Sequence, residues 1–389
     1  MSSLLLKLSL YSAVINIAIT PFSEDIAKLF GYATIIMFLL SATIPVFSSV
    51  RASMSKNNIA MILLLTLTFF ISLGALIGKK VSDIVDIILP MLAFIAFYIS
   101  LDQKQQKSDK LTLNEVFYAN YALCFILMLF AFGPFDFKYE VVNMYEYKIF
   151  TLGLGNPNAV SLSVMFCVVI LFVQICTTEN IAVKVINIIV SVALFYILYL
   201  LASRTVLFCA IIVAVAFLFK TPRAFKLISY FVLIVPIIMI WFQLWLFNSK
   251  SAALQILGKS IATGRPDMYK TFIQKMQDTP IKLFTGDLCT YAFENWHNGL
   301  LTILASLGIF GVILYMSFWN RQLGVLRKAC VDRKQKIAFV AILAILVHSS
   351  SEAMGIVGTI PYSVFVVIIM RIAKGDIEVK NDRITEDRI

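Results

Sequence analysis

The sequence predicts an all-α protein: a polytopic bundle of about twelve transmembrane helices with one long loop outside the membrane. Composition is the first reason. Of the 389 residues, 60% are hydrophobic and 14% are charged, and the mean hydropathy is +0.89, whereas soluble domains carry about 25% charge. The second reason is that apolar runs of about 20 residues recur along the chain. They lack the short alternating segments of a β-barrel. Because backbone groups in lipid must be paired internally, we expect helices.

The predicted spans follow one another closely along most of the chain. They cover residues 3–20, 29–47, 58–77, 82–101, 115–134, 159–177, 183–203, 204–220, 227–247, 299–318, 337–355 and 357–373. The seventh and eighth spans meet at Ser203-Arg204-Thr205. No internal repeat or low-complexity linker divides the chain. We therefore interpret residues 1–373 as a single transmembrane domain and residues 374–389 as a cytoplasmic tail.

Basic residues are concentrated in alternate loops between these spans. The basic set comprises Arg51, Lys56, Lys104, Lys107, Lys110, Lys184, Lys220, Arg223, Lys226, Arg321, Arg327, Lys328, Arg333, Lys334 and Lys336. Positive residues collect on the cytoplasmic side of a membrane, so both termini are expected inside and the other loops outside. Lys79 and Lys80 are the exception. The same rule accounts for the net charge of +11, which in a soluble protein would suggest a nucleic-acid partner.

The longest polar stretch, residues 248–298, falls in an outer loop between the ninth and tenth spans. Pro266 follows Thr263-Gly264 and suits the first turn of a helix. Apolar residues then recur at helical spacing, at Met268, Phe272, Ile273 and Met276. This pattern predicts a short amphipathic helix over residues 267–277, lying along the membrane surface.

Two arginines on the outer face are candidates for binding an anion. Arg204 lies where two apolar runs meet, and Arg265 lies at the start of the predicted surface helix. The planar guanidinium group matches phosphate oxygens, and a helix start offers free N–H groups. A snorkelling interface residue at Arg204 and a solvated loop residue at Arg265 are the alternatives.

His297 stands at the entrance to the tenth span and is a candidate general base near neutral pH. Glu294 is three residues away and could orient or charge the ring; a polar surface histidine is the alternative. The second histidine, His348, lies beside a polar run that ends at Glu352, and Asp86 lies in the fourth span. Polar groups at such positions line cavities or helix contacts, and the sequence leaves their roles open.

Asn156-Pro157-Asn158 forms a turn before the sixth span, for which a helix cap is the simplest interpretation. Nucleotide-binding, zinc-protease and hydrolase motifs are absent from the sequence. None of the six cysteines forms a CxxC pair, so neither a disulfide framework nor a zinc site is indicated. We expect neither a metal nor a cofactor.

Four motifs occur in order between residues 155 and 315. They are Gly155-Asn156-Pro157-Asn158, Ser203-Arg204-Thr205, Gly264-Arg265-Pro266-Asp267-Met268-Tyr269, and His297-Asn298 followed by Leu300-Leu301 and Leu307-Gly308-Ile309-Phe310-Gly311. In their order and common sidedness they resemble the O-antigen ligase and polymerase family of bacterial envelope enzymes. The flanking helices are similar to that family in number and hydrophobicity.

The resemblance implies a glycosyltransferase of the bacterial inner membrane with a periplasmic active face. Its donor would be a glycan on undecaprenyl diphosphate and its acceptor a sugar hydroxyl of lipid A–core, with inversion and without a metal. The outer-face arginines of the family correspond to Arg204 and Arg265, and its loop histidine to His297. Candidate substrate contacts within or beside the motifs are Asn156, Asn158, Tyr269, Glu294 and Asn298.

Three alternatives remain at the level of the sequence. A polymerase that joins two undecaprenyl-linked repeat units is the closest, because the outer loop is short for a ligase. A transporter of lipid-linked sugars also fits about twelve spans, although no two matching halves are visible. A non-catalytic scaffold would need neither the histidine nor the arginines.

Overall fold

The computed structural model describes residues 2–48, 81–102, 111–142, 147–219, 222–247, 265–286, 296–353 and 361–377. It also describes short pieces at residues 56, 59–60, 62–64, 66, 255–256, 259–260 and 356. Helices dominate these ranges, so the predicted all-α class is confirmed.

The helices are numbered α1–α14 in chain order. They are α1 (Ser2–Ile19), α2 (Glu24–Ser48), α3 (Val81–Asp102), α4 (Leu113–Phe132), α5 (Pro157–Thr177), α6 (Ile181–Leu200), α7 (Arg204–Phe219), α8 (Pro222–Phe231), α9 (Val235–Phe247), α10 (Arg265–Asp278), α11 (Lys282–Thr285), α12 (Gly299–Ala329), α13 (Arg333–His348) and α14 (Tyr362–Lys374). Short 3-10 turns cover Asp136–Lys138 and Val232–Ile234, the latter joining α8 to α9.

Seven helical segments in the described ranges are long and apolar enough to cross a membrane. They are α1, α2, α4, α5, α6, α12 and the combined segment from Ala224 to Trp245. Part of α3 and all of α7 are apolar but shorter. The chain is thus a helical protein with the composition of a membrane-embedded one, and the figure of twelve spans stays a prediction.

Helix α5 lies at the centre of the bundle. About 89% of its apolar window is buried inside the protein, against 28% for α6. It packs against α4, α6, α7, α13 and α14, and Phe166 stacks on Phe365 of α14 at 4.3 Å between ring centroids. A helix that is apolar on all sides is buried among other helices, so its ends have fixed positions. Asn156 and Asn158 lie at the amino end of α5 and are therefore held in place by this packing.

Polar contacts join helix ends that the charge pattern assigns to the same side. At the predicted cytoplasmic end, Lys7 of α1 pairs with Glu115 of α4. Asp102 at the end of α3 accepts a hydrogen bond from Gln322 of α12 at 3.0 Å, and Lys374 donates to the carbonyl of Leu101. These helix ends therefore meet at one end of the bundle, and the side of the membrane on which they lie stays a prediction.

Two small hairpins were not foreseen. Strand β1 (Tyr139–Val142) pairs antiparallel with β2 (Tyr147–Phe150), and β3 (Gln255–Ile256) pairs with β4 (Lys259–Ser260). The first hairpin is anchored to the turn before α5, because the backbone N–H of Gly155 donates to Glu140 at 3.2 Å. These strands are too short to give an alternating pattern that a sequence window detects.

Helix α12 is broken at Gly308, where φ is +65° and ψ is −169°. A Cβ atom at this position would lie 2.2 Å from the carbonyl oxygen of Phe284. The end of α11, with Gly286 after it, therefore enters the break, and only a residue without a side chain fits. This close contact is with residues of the outer loop rather than with a neighbouring span.

The predicted surface helix exists as α10, and three further residues, Arg265, Pro266 and Asp278, extend it beyond the expected bounds. Its buried residues are Pro266, Tyr269 and Phe272, which pack with Trp296 and with residues of α12. Ile273, which we expected on the apolar face, is 38% exposed. The apolar face is thus rotated towards Tyr269.

Several sequence predictions fall outside the described residues: most of the third span (58–77), Glu294, Cys289 and the tail beyond residue 377. The side chain of Asp86 is also outside them. At the carboxyl end α14 runs to Lys374 and Ile377 is fully buried. The packed part of the chain therefore extends a few residues past the domain boundary expected at 373.

Candidate active site

The candidate site is built around Glu352, which lies just after α13 and has a side chain only 1% exposed. Three side chains approach its Oε1 atom: His297 Nδ1 at 2.7 Å, Asn158 Nδ2 at 2.8 Å and Arg265 Nη2 at 3.4 Å. These residues are 55, 194 and 87 positions away along the chain. A buried carboxylate requires such compensation, and here three distant segments supply it.

His297 is held in a defined orientation by the carboxylate. When Glu352 is ionised it only accepts hydrogen bonds, so Nδ1 of the ring is the donor in the 2.7 Å contact. In the neutral ring, Nε2 then carries the lone pair. The side chain is 32% exposed, so the ring reaches the surface of the site. A histidine oriented by a carboxylate has the arrangement of a general base.

The backbone of His297 is in the left-handed region, with φ at +50°. Two contacts restrain this unusual conformation. The hydroxyl of Tyr269 donates to the carbonyl of His297 at 3.1 Å, and the backbone N–H of Trp296 donates to Thr302 at 3.3 Å. Burial raises the pKa of Tyr269 to about 12, so its hydroxyl keeps the proton needed for this bond.

Arg265 is the first residue of α10, and the packing of Tyr269 and Phe272 fixes that helix against Trp296. The side chain of Arg265 is 16% exposed. Its Nε atom is buried and has no hydrogen-bond partner among the residues that the structure describes. A buried donor of a charged group without an acceptor is costly, which indicates a place for a negatively charged ligand.

Asn158 links the turn before α5 to the break between α6 and α7. Its amide donates to Glu352, and its oxygen accepts from the Ser203 hydroxyl at 2.8 Å. The adjacent Asn156 caps α5 by accepting from the backbone N–H of Asn158 at 2.9 Å. Asn156 thus acts first as a helix cap, the simpler of its two interpretations.

Arg204 begins α7 beside this network. The next residue, Thr205, accepts a hydrogen bond from Ser351 at 3.0 Å, which fixes the start of α7 next to Glu352. Arg204 is close enough to Arg265 for their like charges to act on each other. An anion between two such groups would relieve their repulsion, and the two arginines lie near each other in the structure.

Three residues other than glycine have positive φ in the described part of the chain: Leu152, Ala202 and His297. They lie in the segments that lead into α5, α7 and α12 respectively. Those are the segments that bring Asn158, Arg204 and His297 to the site. Uncommon backbone conformations of this kind cluster at functional sites, where the surrounding structure holds them.

The side chain of Asn298 forms all its hydrogen bonds within the protein. Its oxygen accepts from the backbone N–H groups of Leu300 and Leu301, and its amide donates to the carbonyls of Pro236 and Ser350. An amide side chain offers two donors and two acceptor sites, and all four are used inside the protein. We therefore assign Asn298 to helix capping and loop docking rather than to substrate binding.

Glu352 was visible in the sequence only as the end of a polar run, and no role was assigned to it there. The available signal was an isolated acidic residue in an otherwise apolar region, four positions after His348. His348 is also at this end of the bundle, fully buried at the end of α13. Tyr269, expected as a substrate contact, instead faces the backbone of His297.

Metal-binding and redox features are not part of the described site. The searched residues contain no group of three or more histidine, cysteine or acidic side chains able to hold a metal ion. Five cysteines are free thiols, namely Cys124, Cys167, Cys176, Cys209 and Cys330. A site of two cations, one carboxylate and one imidazole is suited to anion binding and proton transfer.

Comparison of the chain with models of protein families, with curated proteins and with solved structures finds no match. The fold and site define the class, a helical protein with the composition of a membrane-embedded one. Its activity must therefore be argued from the site itself.

Proposed function

We propose that the protein is a glycosyltransferase of the bacterial inner membrane. It would transfer a glycan from undecaprenyl diphosphate to a sugar hydroxyl of lipid A–core at the periplasmic face. The observation that carries the proposal is the convergence of His297, Arg265 and Asn158 on the buried carboxylate of Glu352. The motif resemblance to O-antigen ligases and polymerases supplies the substrate class, and the geometry supplies the roles.

In this reaction His297 is the general base. The acceptor hydroxyl attacks the anomeric carbon of the donor sugar, its proton passes to Nε2 of His297, and the bond between that carbon and the phosphate oxygen breaks. Glu352 holds the ring through Nδ1 and stabilises the imidazolium ion that forms. Direct attack inverts the anomeric configuration.

The two arginines stabilise the leaving diphosphate. The Nε of Arg265, which has no partner among the described residues, and the nearby charge of Arg204 present positive groups where negative charge increases during bond cleavage. Such fixed charges stabilise the developing negative charge more strongly in a partly buried site than they would in water. Because the diphosphate already activates the donor, the reaction needs no nucleotide, and the apolar helices around the site would accommodate the polyprenyl chain.

An O-antigen polymerase is the second candidate, favoured by the short outer loop at residues 248–298. A small loop offers little surface for binding the bulky core oligosaccharide. A second lipid-linked repeat unit is a smaller acceptor and fits such a loop better. The site chemistry is the same in both cases, because each reaction displaces undecaprenyl diphosphate by a sugar hydroxyl.

Deletion of the gene distinguishes these functions. Loss of a ligase leaves lipopolysaccharide core without polymer, whereas loss of a polymerase leaves core with a single repeat unit, and a silver-stained gel separates the two. A wild-type glycan profile in the deletion strain would contradict both. A separate assay tests the transporter hypothesis. The purified protein should transfer glycan from one lipid to another in detergent, a reaction that a transporter would not catalyse.

Transfer by the purified protein should depend on the named side chains and not on a metal. His297→Ala and Arg265→Ala are each expected to lower kcat/KM by about 100-fold, and Arg265→Lys should recover only part because an ammonium lacks the planar fork. EDTA should leave the rate unchanged. Inhibition by EDTA that added metal reverses would contradict the mechanism.

A further inference from the structure

His348 is the second histidine of the chain and has no role in the mechanism above. Its side chain is only 1% exposed, at the last residue of α13. Both ring nitrogens lack a hydrogen-bond partner within the described ranges of the chain. Buried polar atoms without hydrogen-bond partners destabilise a fold, so an apolar residue would be more stable at this position.

The ring lies beside the candidate active site. The backbone N–H of Glu352 donates to the carbonyl of His348 at 3.1 Å, so the two residues are one turn apart. The charges of Glu352 and Arg265 both act on the imidazole. The ring nitrogens of His348 and the Nε of Arg265, which lack partners in the part of the chain that the structure describes, therefore belong to the same part of the molecule.

Among the described residues, His348 and Arg265 are neighbours that both carry a buried N–H donor without an acceptor. One ligand that accepts from both side chains would explain the two observations together. A pair of phosphate groups supplies many strong acceptor oxygens, and each can accept from an imidazole or a guanidinium N–H. Of the three contacts to Glu352, the one with Arg265 is the longest at 3.4 Å. The contact of Arg265 is therefore the one that an incoming anion can replace most readily.

We propose that His348 is a third donor in the diphosphate site, binding a phosphate oxygen from the end of α13 while Arg204 binds from the start of α7 and Arg265 from the start of α10. This inference rests on the proposed function, since it deepens the donor site of the same reaction. His348 is thereby a binding residue, and His297 remains the base.

The test measures binding of inorganic pyrophosphate to the purified full-length protein in detergent, together with its melting temperature. His348→Leu removes the donor and fills the buried position with carbon. We expect it to raise the dissociation constant about tenfold, the effect of losing one hydrogen bond to a charged group. The melting temperature should rise, because two unpaired nitrogens are removed.

Ser100→Ala is the matched control. Ser100 is 1% exposed, its hydroxyl is also unpaired within the described residues, and it lies near the opposite end of the bundle on α3. This variant should also be more stable but should bind pyrophosphate as the wild type does. His348→Asn and His348→Gln keep an N–H donor, and at least one should bind within about threefold of wild type.

Two outcomes separate the inference from the proposed function. If His348→Leu binds pyrophosphate as tightly as wild type while Arg265→Ala has lost binding, His348 is not a ligand of the anion, although the arginine site stands. If the wild type itself binds no pyrophosphate, the anion site is rejected and both proposals with it. His348→Met provides the same apolar test should the leucine variant not fold.

Discussion

At the scale of single residues, the site depends on one carboxylate that several chain segments share. Glu352 accepts from His297 and Asn158 at 2.7 Å and 2.8 Å and lies 3.4 Å from Arg265. Removing a buried charge with three partners affects all of them together, because each loses its acceptor. The roles of base, orienting group and anion ligand are therefore coupled through Glu352.

Glu352→Gln keeps the shape of the side chain and removes its charge. We expect kcat for glycan transfer to fall about 10–100-fold, because a neutral amide stabilises the imidazolium less than a carboxylate does. Glu140→Gln is the control, since Glu140 is a more exposed acid that accepts from Gly155 beside α5. Equal rates for the two variants would show that Glu352 does not support the base.

Tyr269→Phe separates two roles for Tyr269. If the hydroxyl holds the strained backbone of His297, as its 3.1 Å bond indicates, its loss should lower kcat about 2–10-fold and leave the KM for the donor unchanged. A substrate contact, the role expected from the sequence, would instead raise that KM. Steady-state kinetics with the purified variant distinguishes the two, and a rise in KM alone would contradict the positioning role.

At the scale of elements, helix starts and helix breaks place the side chains. Asn158 is in the first turn of α5, and Arg204 and Arg265 are the first residues of α7 and α10. Helix starts carry free N–H groups and a partial positive charge, so three of them at one place favour an anion. The break in α12 at Gly308 admits the end of α11 and so joins the outer loop to the start of α12.

Gly308→Ala tests the importance of that break. A side chain there meets Phe284 and forces a non-glycine residue into a backbone region that costs about 1–3 kcal/mol. The melting temperature should fall, and transfer with it. Gly324→Ala is the control in the same helix, where the added carbon meets only Arg327 at 3.7 Å. Similar melting temperatures for both variants would contradict the proposed fit of the loop.

At the scale of the whole molecule, sidedness connects the fold to the proposed function. The site residues all lie at the end of the bundle that the charge pattern predicts to be outside. The contacts of Lys7, Asp102 and Lys374 are at the other end. A periplasmic reaction requires this orientation, because lipid-linked glycans and lipopolysaccharide core meet on that face.

Cysteine labelling in intact spheroplasts measures the orientation. In a Cys289→Ser background, a cysteine at Thr271 on exposed α10 should react with a membrane-impermeant maleimide. A cysteine at Val331, which is 75% exposed between α12 and α13, should react only after permeabilisation. The reverse pattern would place the site in the cytoplasm and rule out the proposed reaction.

The sequence determined the features that depend on neighbouring residues. Hydrophobic runs fixed the helical class and the positions of most helices. Pro266 and the apolar spacing after it predicted α10, and the turn at Asn156 predicted a helix cap. Local patterns also selected Arg204, Arg265 and His297 as candidates, because polar residues beside apolar runs are rare in this sequence.

Only the tertiary structure identified Glu352 as the centre of the site, since its partners are 55, 87 and 194 residues away. It also gave Tyr269 and Asn298 hydrogen-bond partners inside the protein, and it showed positive φ at His297 without a glycine to signal it. Periodicity reports which face of a helix is buried. It does not report which helix ends meet, because that is decided by packing between segments distant in the chain.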